Sequence, residues 1–385
     1  MKCKTTPFDT LNKYSGEFSG AFADLGTFLP LVLGLIAINH FSPQGIFMGF
    51  GLFALFTAFY YRRPIPVQPM KVIAALVIAQ GLTPGMLQAS GIMMGIILLI
   101  LAYSGAITWM AKQLSPAISI GIQLAIGLQL IWMGGQMISD TWIIGIIAFT
   151  VLFASRFFPL PYLAMPLVLI FGIMWQITSG LAPSFELSGS TPWQLGWPSL
   201  NEWSSAAGLL VLPQLALTLT NAVIATSAMA NEKFPEDHIK FNDRFSPKRF
   251  ATSAGWANLL LAPIGAAAMC HGAGGLAVQY HFGARTWLTP TIFGVACLLI
   301  AAFWGQGIAS LLSLIPLAVL GSLLAIAGTQ LAWSKRFVDG KPFCIVVILS
   351  TAAICLLVNT AAGLAAGVIL EMGRRQWRII ADLTR

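Results

Sequence analysis

An all-α polytopic membrane protein is the fold class this sequence predicts, and three observations predict it. Of 385 residues, 57% are hydrophobic and only 9% are charged, too few charges to cover the surface of a water-soluble domain of this size. Apolar runs of span length recur from about residue 18 to residue 380. The basic residues are sorted to one side of those runs, as membrane topology requires.

In chain order the apolar runs place spans at 18–38, 44–61, 67–80, 86–110, 115–134, 142–155, 161–177, 206–229, 249–263, 270–282, 286–304, 307–331, 342–358 and 360–377. Residues 1–17 are too polar for a signal-peptide core and read as an N-terminal cytoplasmic tail. Residues 18–177 then form a first set of seven spans and residues 206–377 a second. The stretch 178–205, with Pro183, Pro192 and Pro198, is the extracytoplasmic connector, and 378–385 is a short cytoplasmic tail. With fourteen spans both termini share one side. Lys71 apart, every one of the 21 Lys and Arg residues falls on that side. The positive-inside rule makes it the cytoplasm, with the chain multi-pass in an inner, bacterial-type cell membrane. The net charge of +8 is therefore a topology signal, and no nucleic-acid partner is expected. Trp132, Trp142, Trp175, Trp193, Trp197 and Trp203 fall at span ends or in the connector, where interfacial anchors sit.

The second half echoes the first. PAISIGIQLAIGLQL begins at Pro116 and PLAVLGSLLAIAGTQL at Pro316. Pro116/Pro316, Gly121/Gly321, Ala125/Ala325 and Ile126/Ile326 match at an offset of 200, and Gln129 matches Gln330 after a one-residue insertion. Seven spans per half is an odd number, so the halves must be inverted, giving a 7+7 inverted repeat. Such repeats put a substrate near the bilayer midplane, between broken helices whose N-terminal dipoles face it.

Both halves contain a short span of that kind, spans 3 and 10. Pro64, Pro66 and Pro69 precede Met70 and Lys71, and Gly81 and Pro84 follow. Residues 67–80 would reach only about 21 Å as a helix, against the roughly 30 Å hydrocarbon core. Lys71 is the one basic residue deep in an apolar stretch, where a cation costs about 3 kcal/mol to insert and normally faces a cavity, a counter-charge or an anion. Near the same offset, AAAMCHGAGGLAVQYHFGARTW carries Cys270, His271, Gly272, Gly274 and Gly275, glycines that allow non-helical backbone beside a helix start. Two half-helix N-termini with exposed amides would make an oxyanion site. The alternative is that these glycines are helix-packing contacts.

Polar residues in the spans before the broken helices complete the candidate set. Asp24 and Thr27 lie within one turn in span 1, and Gln214, Thr218, Thr220 and Asn221 lie in span 8. An intramembrane Asp is a functional candidate by default: Asp24 is a counter-ion for Lys71, a proton carrier, or simply a helix cap or an interhelical hydrogen-bond partner. Glu17 reads as interfacial. His271 either binds an oxyanion or is a packed neutral histidine. His281 belongs to an exit path or to structure, and His40 and His238 to solvated loops. The substrate-binding candidates are Asp24, Thr27, Gln68, Met70, Lys71, Asn221, Cys270, His271, Gly272 and Gly274. The five cysteines show no paired spacing, and no histidine–carboxylate grouping has metal-ligand spacing, so neither a disulfide framework nor a metal or other cofactor is expected. No nucleophile–base constellation is present either, and an enzyme is not expected.

Four segments, GAFADLGTFLP, PVQPMKVIAA, PQLALTLTNAVIATSAMANEKFP and MCHGAGGLAVQYHFGART, resemble the signature segments of the molybdate transporter family, a relative of the SulP sulfate permeases. The resemblance covers most of the chain, with the segments in the family's order. It implies fourteen helices in a seven-plus-seven inverted repeat, a core domain moving against a gate domain, and secondary, proton-coupled uptake of molybdate. It carries over Asp24, Gln68, Lys71, Asn221, His271 and Gly272. The chain departs from the pattern at Ala23, where the family has Gly, and at His281, where it has Arg. It is also expected to lack the cytosolic STAS domain of the SulP permeases. Sulfate, close to molybdate in shape and charge, is the nearest rival substrate. A nucleobase permease of the same fold would want acidic and amide groups more than a central Lys, and an anion channel is the alternative from another class. The expected partners are the oxyanion, protons and the bilayer, and a homodimer is left open.

Overall fold

The computed structural model describes residues 7–107, 116–157, 164–180, 197–240, 243–304, 314–333 and 342–383. Lys2, Lys4, Lys112, Trp193, Lys335, Arg336, Lys341 and Arg385, with most of the 178–205 connector, lie outside them. Described residues are mostly helical. Helices α1 (Pro7–Phe22), α2 (Leu25–Ala37), α3 (Pro43–Tyr61), α4 (Lys71–Gln80), α5 (Pro84–Ser104), α6 (Pro116–Ile138), α7 (Trp142–Ala154) and α8 (Ala164–Thr178) build the first half. The second holds α9 (Leu200–Lys233), α10 (Pro235–Lys240), α11 (Pro247–Leu261), α12 (Ala273–His281), α13 (Leu288–Trp304), α14 (Leu317–Ala332), α15 (Pro342–Leu357) and α16 (Thr360–Leu383).

Local chemistry sets many of the boundaries. Thr83 and Ser246 cap α5 and α11 by accepting from the N–H of Met86 and Arg249, each followed by Pro at the first helical position. Ser199 and Glu202 form a capping box at the start of α9. Gly81, at φ +60°, ends α4 in the left-handed conformation that a glycine adopts without strain. Among the described residues four helices are long and apolar enough to cross a membrane: Pro43–Tyr61, Pro84–Ser104, Ala117–Ile138 and Leu200–Lys233. The other apolar helices, Lys71–Gln80 among them, are shorter.

Three features differ from the sequence reading. Span 1, expected to be continuous over 18–38, is broken: Tyr14–Phe22 and Thr27–Ala37 meet at 43°, with Asp24 at the junction. Asp24 occupies the N-cap position of α2, but its carboxylate makes no cap bond; it is engaged elsewhere, as described below. Second, the chain is not purely helical. Gln68–Pro69 (β1) and Met269–Cys270 (β2) form a two-residue antiparallel ladder, too short to leave an alternating pattern in the sequence. Third, α9 is not uniform. Wide π-helical turns over Ala207–Val211 and Thr218–Ala225 flank the α-helical stretch Leu212–Leu217, and such turns often mark functional positions.

Segments about 200 residues apart in the chain are packed on each other. β1 pairs with β2, and α6 crosses α14 where glycines meet. A Cβ on Gly321 would lie 2.6 Å from the carbonyl oxygen of Gly134, and one on Gly328 2.6 Å from that of Gly127. Only glycine permits this backbone approach. The main core joins α2–α6, α9, α11, the 266–270 strand region and α15 in one apolar cluster. Glu17, expected at an interface, is fully buried; it accepts hydrogen bonds from Thr289 Oγ1 (2.6 Å) and the Arg285 N–H (3.2 Å), tying α1 to the start of α13.

The loop ends on one side are clamped by charge. Arg63, after α3, donates to Asp237 Oδ2 (2.7 Å) and Glu236 Oε1 (2.9 Å) of α10, and its guanidinium lies 4.7 Å from the Phe234 ring centroid. Arg244 adds a 3.0 Å bond to Asp237. The Arg63 hydrogen bond, more than any other contact, holds the Asp237 carboxyl below the usual carboxylate range. These bonds tie α10 to the end of α3.

Candidate functional site

The ladder organises the site. Gln68 faces Cys270 and Pro69 faces Met269 across it, and each strand runs within two residues into a short helix, α4 or α12. Antiparallel pairing sends the two helices away in opposite directions, with both N-termini turned toward the ladder. Asn258 of α11 fixes β2 by bonding both backbone groups of Met269, Nδ2 to O at 2.6 Å and N to Oδ1 at 2.8 Å. The N–H of Met70 extends the pairing to the Ala268 carbonyl at 2.8 Å.

Lys71 is the first residue of α4. A cation there opposes the helix dipole, and a helical side chain leans toward the N-terminus, hence toward the ladder. It lines a small cavity with Gln68, Gln214, Leu217, Thr218, Asn221, Ala222 and Cys270. No carboxylate among the described residues lies within ion-pair distance of Lys71. The cavity has about 10 Å³ of free space, the room of about one water molecule, beside a half-buried Lys71. A roomier cavity of about 290 Å³ lies elsewhere, between Phe41, Pro84, Gln88, Trp197, Glu202 and Ala266. Its described lining carries a carboxylate and no cation, which disfavours an anion.

Asp24 and Gln68 form the second part of the site. Gln68 Nε2 donates to Asp24 Oδ2, the Thr27 hydroxyl also serves Asp24, and the charge of Lys71 acts on it through space. Asp24 is thus a hydrogen-bond partner of Gln68, not an ion-pair partner of Lys71. Gln68 lies against Gly272 and Gly275. A Cβ on Gly272 would come 2.8 Å from Gln68 Cδ, and one on Gly275 2.8 Å from Asp24 Oδ2 and 3.1 Å from Pro66 Cβ. Those two glycines therefore make room for the Gln68–Asp24 pair, whereas a Cβ on Gly274 would meet nothing within 4 Å.

The structure sorts the sequence candidates. Gln68, Lys71, Asn221 and Cys270 line one cavity; Asp24, Thr27 and Gly272 join it through Gln68, whereas Gly274 is exposed and stands apart. Met70 is fully buried in the core and His271 lies off the cavity. His271 bonds Pro66 O through Nδ1 (3.0 Å) and Ser253 Oγ through Nε2 (2.8 Å), inside a cage of Phe53, Tyr61 and Phe250. The Pro66 carbonyl can only accept, so Nδ1 carries the hydrogen. Of the two readings of His271, the geometry gives the packed one. The expected exposed amides also need correction at α4. Val72 N and Ile73 N donate to Gln214 Oε1 at 2.9 and 3.3 Å, and Ala74 N to Met70 O. Gln214 was legible as a polar residue of span 8 but not as a site residue. Its spacing with Thr218 and Asn221, at i, i+4 and i+7, was the signal that they share one helix face.

Residues 16–130 and 206–331 match the protein family described as molybdate transporter of the MFS superfamily. Molybdate transporter 2 of Arabidopsis thaliana is 28% identical, over 94% of this chain and 87% of that protein. Molybdate transporter 1 of Chlamydomonas reinhardtii is 26% identical, over 92% and 90%. Two solved structures share the fold. The transmembrane domain of the cyanobacterium bicarbonate transporter BicA superposes with a TM-score of 0.62 at 17% identity, covering 95% of this chain and 99% of that one. The murine Solute Carrier 26 family member A9 anion transporter, inward-facing, gives 0.68 at 14% identity, covering 98% and 70%. The family and these relatives are transporters, not enzymes, and an all-helical membrane fold with a minimal two-strand ladder agrees with both. With more than half its length matched, the chain belongs to the molybdate transporter family.

Proposed function

We propose that this protein is a secondary, proton-coupled transporter that takes up molybdate across the cytoplasmic membrane. The observation that carries the reading is Lys71, an intramembrane cation without an ion-pair partner among the described residues, set at a half-helix start beside Gln68, Asn221 and Cys270. A tetrahedral dianion suits that set: Lys71 supplies charge, the side-chain amides supply directional donors, and the α12 terminus adds its dipole. The names of the Arabidopsis and Chlamydomonas relatives support molybdate as the cargo. Asp24 is the coupling candidate, since its carboxylate shares Gln68 with the site.

The same reading takes the chain as fourteen spans in a 7+7 inverted repeat, residues 18–177 and 206–377, with both termini cytoplasmic. The offset-200 matches, the β1–β2 pairing and the α6–α14 glycine crossing favour the repeat, and the sorted basic residues favour the orientation. A core containing the half-helices would then move against a gate containing α6 and α14.

Uptake of labelled molybdate into proteoliposomes tests the proposal. An inward proton gradient is expected to drive accumulation above equilibrium, with excess sulfate inhibiting weakly. Strong sulfate competition would move the assignment to a sulfate-type permease. Uptake that only follows the anion's own electrochemical gradient would make the protein a channel.

A further inference from the structure

Gln214 holds the place at the α4 terminus that an anion would take. Its Oε1 accepts from both Val72 N and Ile73 N, and its Nε2 donates to Thr218 Oγ1 at 2.9 Å. The side chain is 1% exposed and lines the Lys71 cavity. Two backbone donors at a helix start are the groups that bind oxyanions in such geometry, and here a neutral side-chain oxygen occupies both.

We propose that Gln214 is a displaceable internal ligand that sets the affinity for the anion: the oxyanion and Gln214 Oε1 compete for the N–H groups of Val72 and Ile73. The proposal rests on the oxyanion reading above. Three observations make displacement feasible. Gln214 is anchored by one further hydrogen bond, to Thr218 on its own helix, so it can leave α4 without breaking a hydrogen bond to a third element. It sits in the short α-helical stretch between two π-helical segments, whose wide turns can be redistributed along α9. An anion and Gln214 Oε1 cannot both hold the Val72 and Ile73 amides, and among the described lining residues Gln214 is the one bonded to them. A neutral amide oxygen is also the weaker acceptor. A charged oxygen beside Lys71 makes the stronger, charge-assisted bonds, so exchange favours the anion while keeping the amides satisfied when it leaves. The donors are thus never stranded in the membrane during turnover, which would be costly.

Molybdate dissociation constants of the purified full-length protein, by calorimetry, test this in the parent, Gln214→Met and Gln214→Glu. Gln214→Met removes the competitor and leaves two orphaned amides. It is expected to bind molybdate about 10-fold more tightly and to show a lower melting temperature without molybdate but a larger rise on adding it. Gln214→Glu puts a charged competitor on the amides and beside Lys71, and is expected to bind at least about 10-fold more weakly. Should Gln214→Met fold poorly, Gln214→Asn decides, because its shorter arm breaks both contacts and is expected to tighten binding too. Weaker binding by Gln214→Met would make Gln214 a ligand of the anion and overturn the proposal, as would a constant within twofold of the parent. Molybdate binding by neither parent nor variants would overturn the oxyanion reading and this proposal together.

Discussion

Lys71→Met is expected to lower molybdate uptake at least about 100-fold without unfolding the protein. The attraction between unit charges about 4 Å apart is roughly 4 kcal/mol at the effective dielectric of a protein site, and a dianion feels more. A 100-fold loss asks for about 2.7 kcal/mol of that. Lys71→Arg keeps the charge but replaces a compact ammonium by a planar fork in a cavity with room for about one water, so partial activity is expected. The stability readout separates function from structure. Lys71 opens α4 against the helix dipole and lacks an ion-pair partner among the described residues, so Lys71→Met should melt at or above the parent temperature. A variant less stable than the parent yet transporting within threefold of it would make Lys71 structural and sink the anion-site reading.

Gly275→Ala is expected to cut uptake at least about 10-fold. On helix propensity alone, replacing a helical glycine by alanine should stabilise by about 0.5–1 kcal/mol. Here the new methyl would stand 2.8 Å from Asp24 Oδ2 and against the Gln68 amide and Pro66. Both side chains belong to the site, so relief of the clash must come from separating Gln68 from Asp24 or pushing β1 from α12. Gly274→Ala, one residue away, meets nothing within 4 Å and is the matched control, expected to transport normally and melt slightly higher. Equal, near-parental uptake by both variants would mean that the Gln68–Asp24 pair is dispensable.

Much of this architecture was legible in the amino-acid order. The membrane class followed from composition, and the short helix at 71–80 from its flanking prolines and Gly81. The second short helix followed from its glycines and its offset of about 200. Lys71 stood out because a cation in an apolar run must be explained by what surrounds it. What was not legible depends on contacts between residues far apart in the chain. Nothing near Asp24 indicates that its carboxylate will meet Gln68, 44 residues on, or that the helix will break there. Gln214 reaches Val72 over 142 residues, so the filling of the α4 amides has no local signature. His271 illustrates the converse: its motif placed it at the right helix start, but the side chain points into an aromatic cage whose members come from α3 and α11.

A structure of the protein with tungstate, the heavier congener of molybdate, located by its anomalous signal, would show directly where the anion binds. One strong peak is expected between the starts of α4 and α12, within ion-pair distance of Lys71 Nζ, with Gln214 Oε1 withdrawn from Val72 and Ile73. A peak in the cavity of Trp197 and Glu202 instead, with none beside Lys71 under conditions that support transport, would contradict that placement.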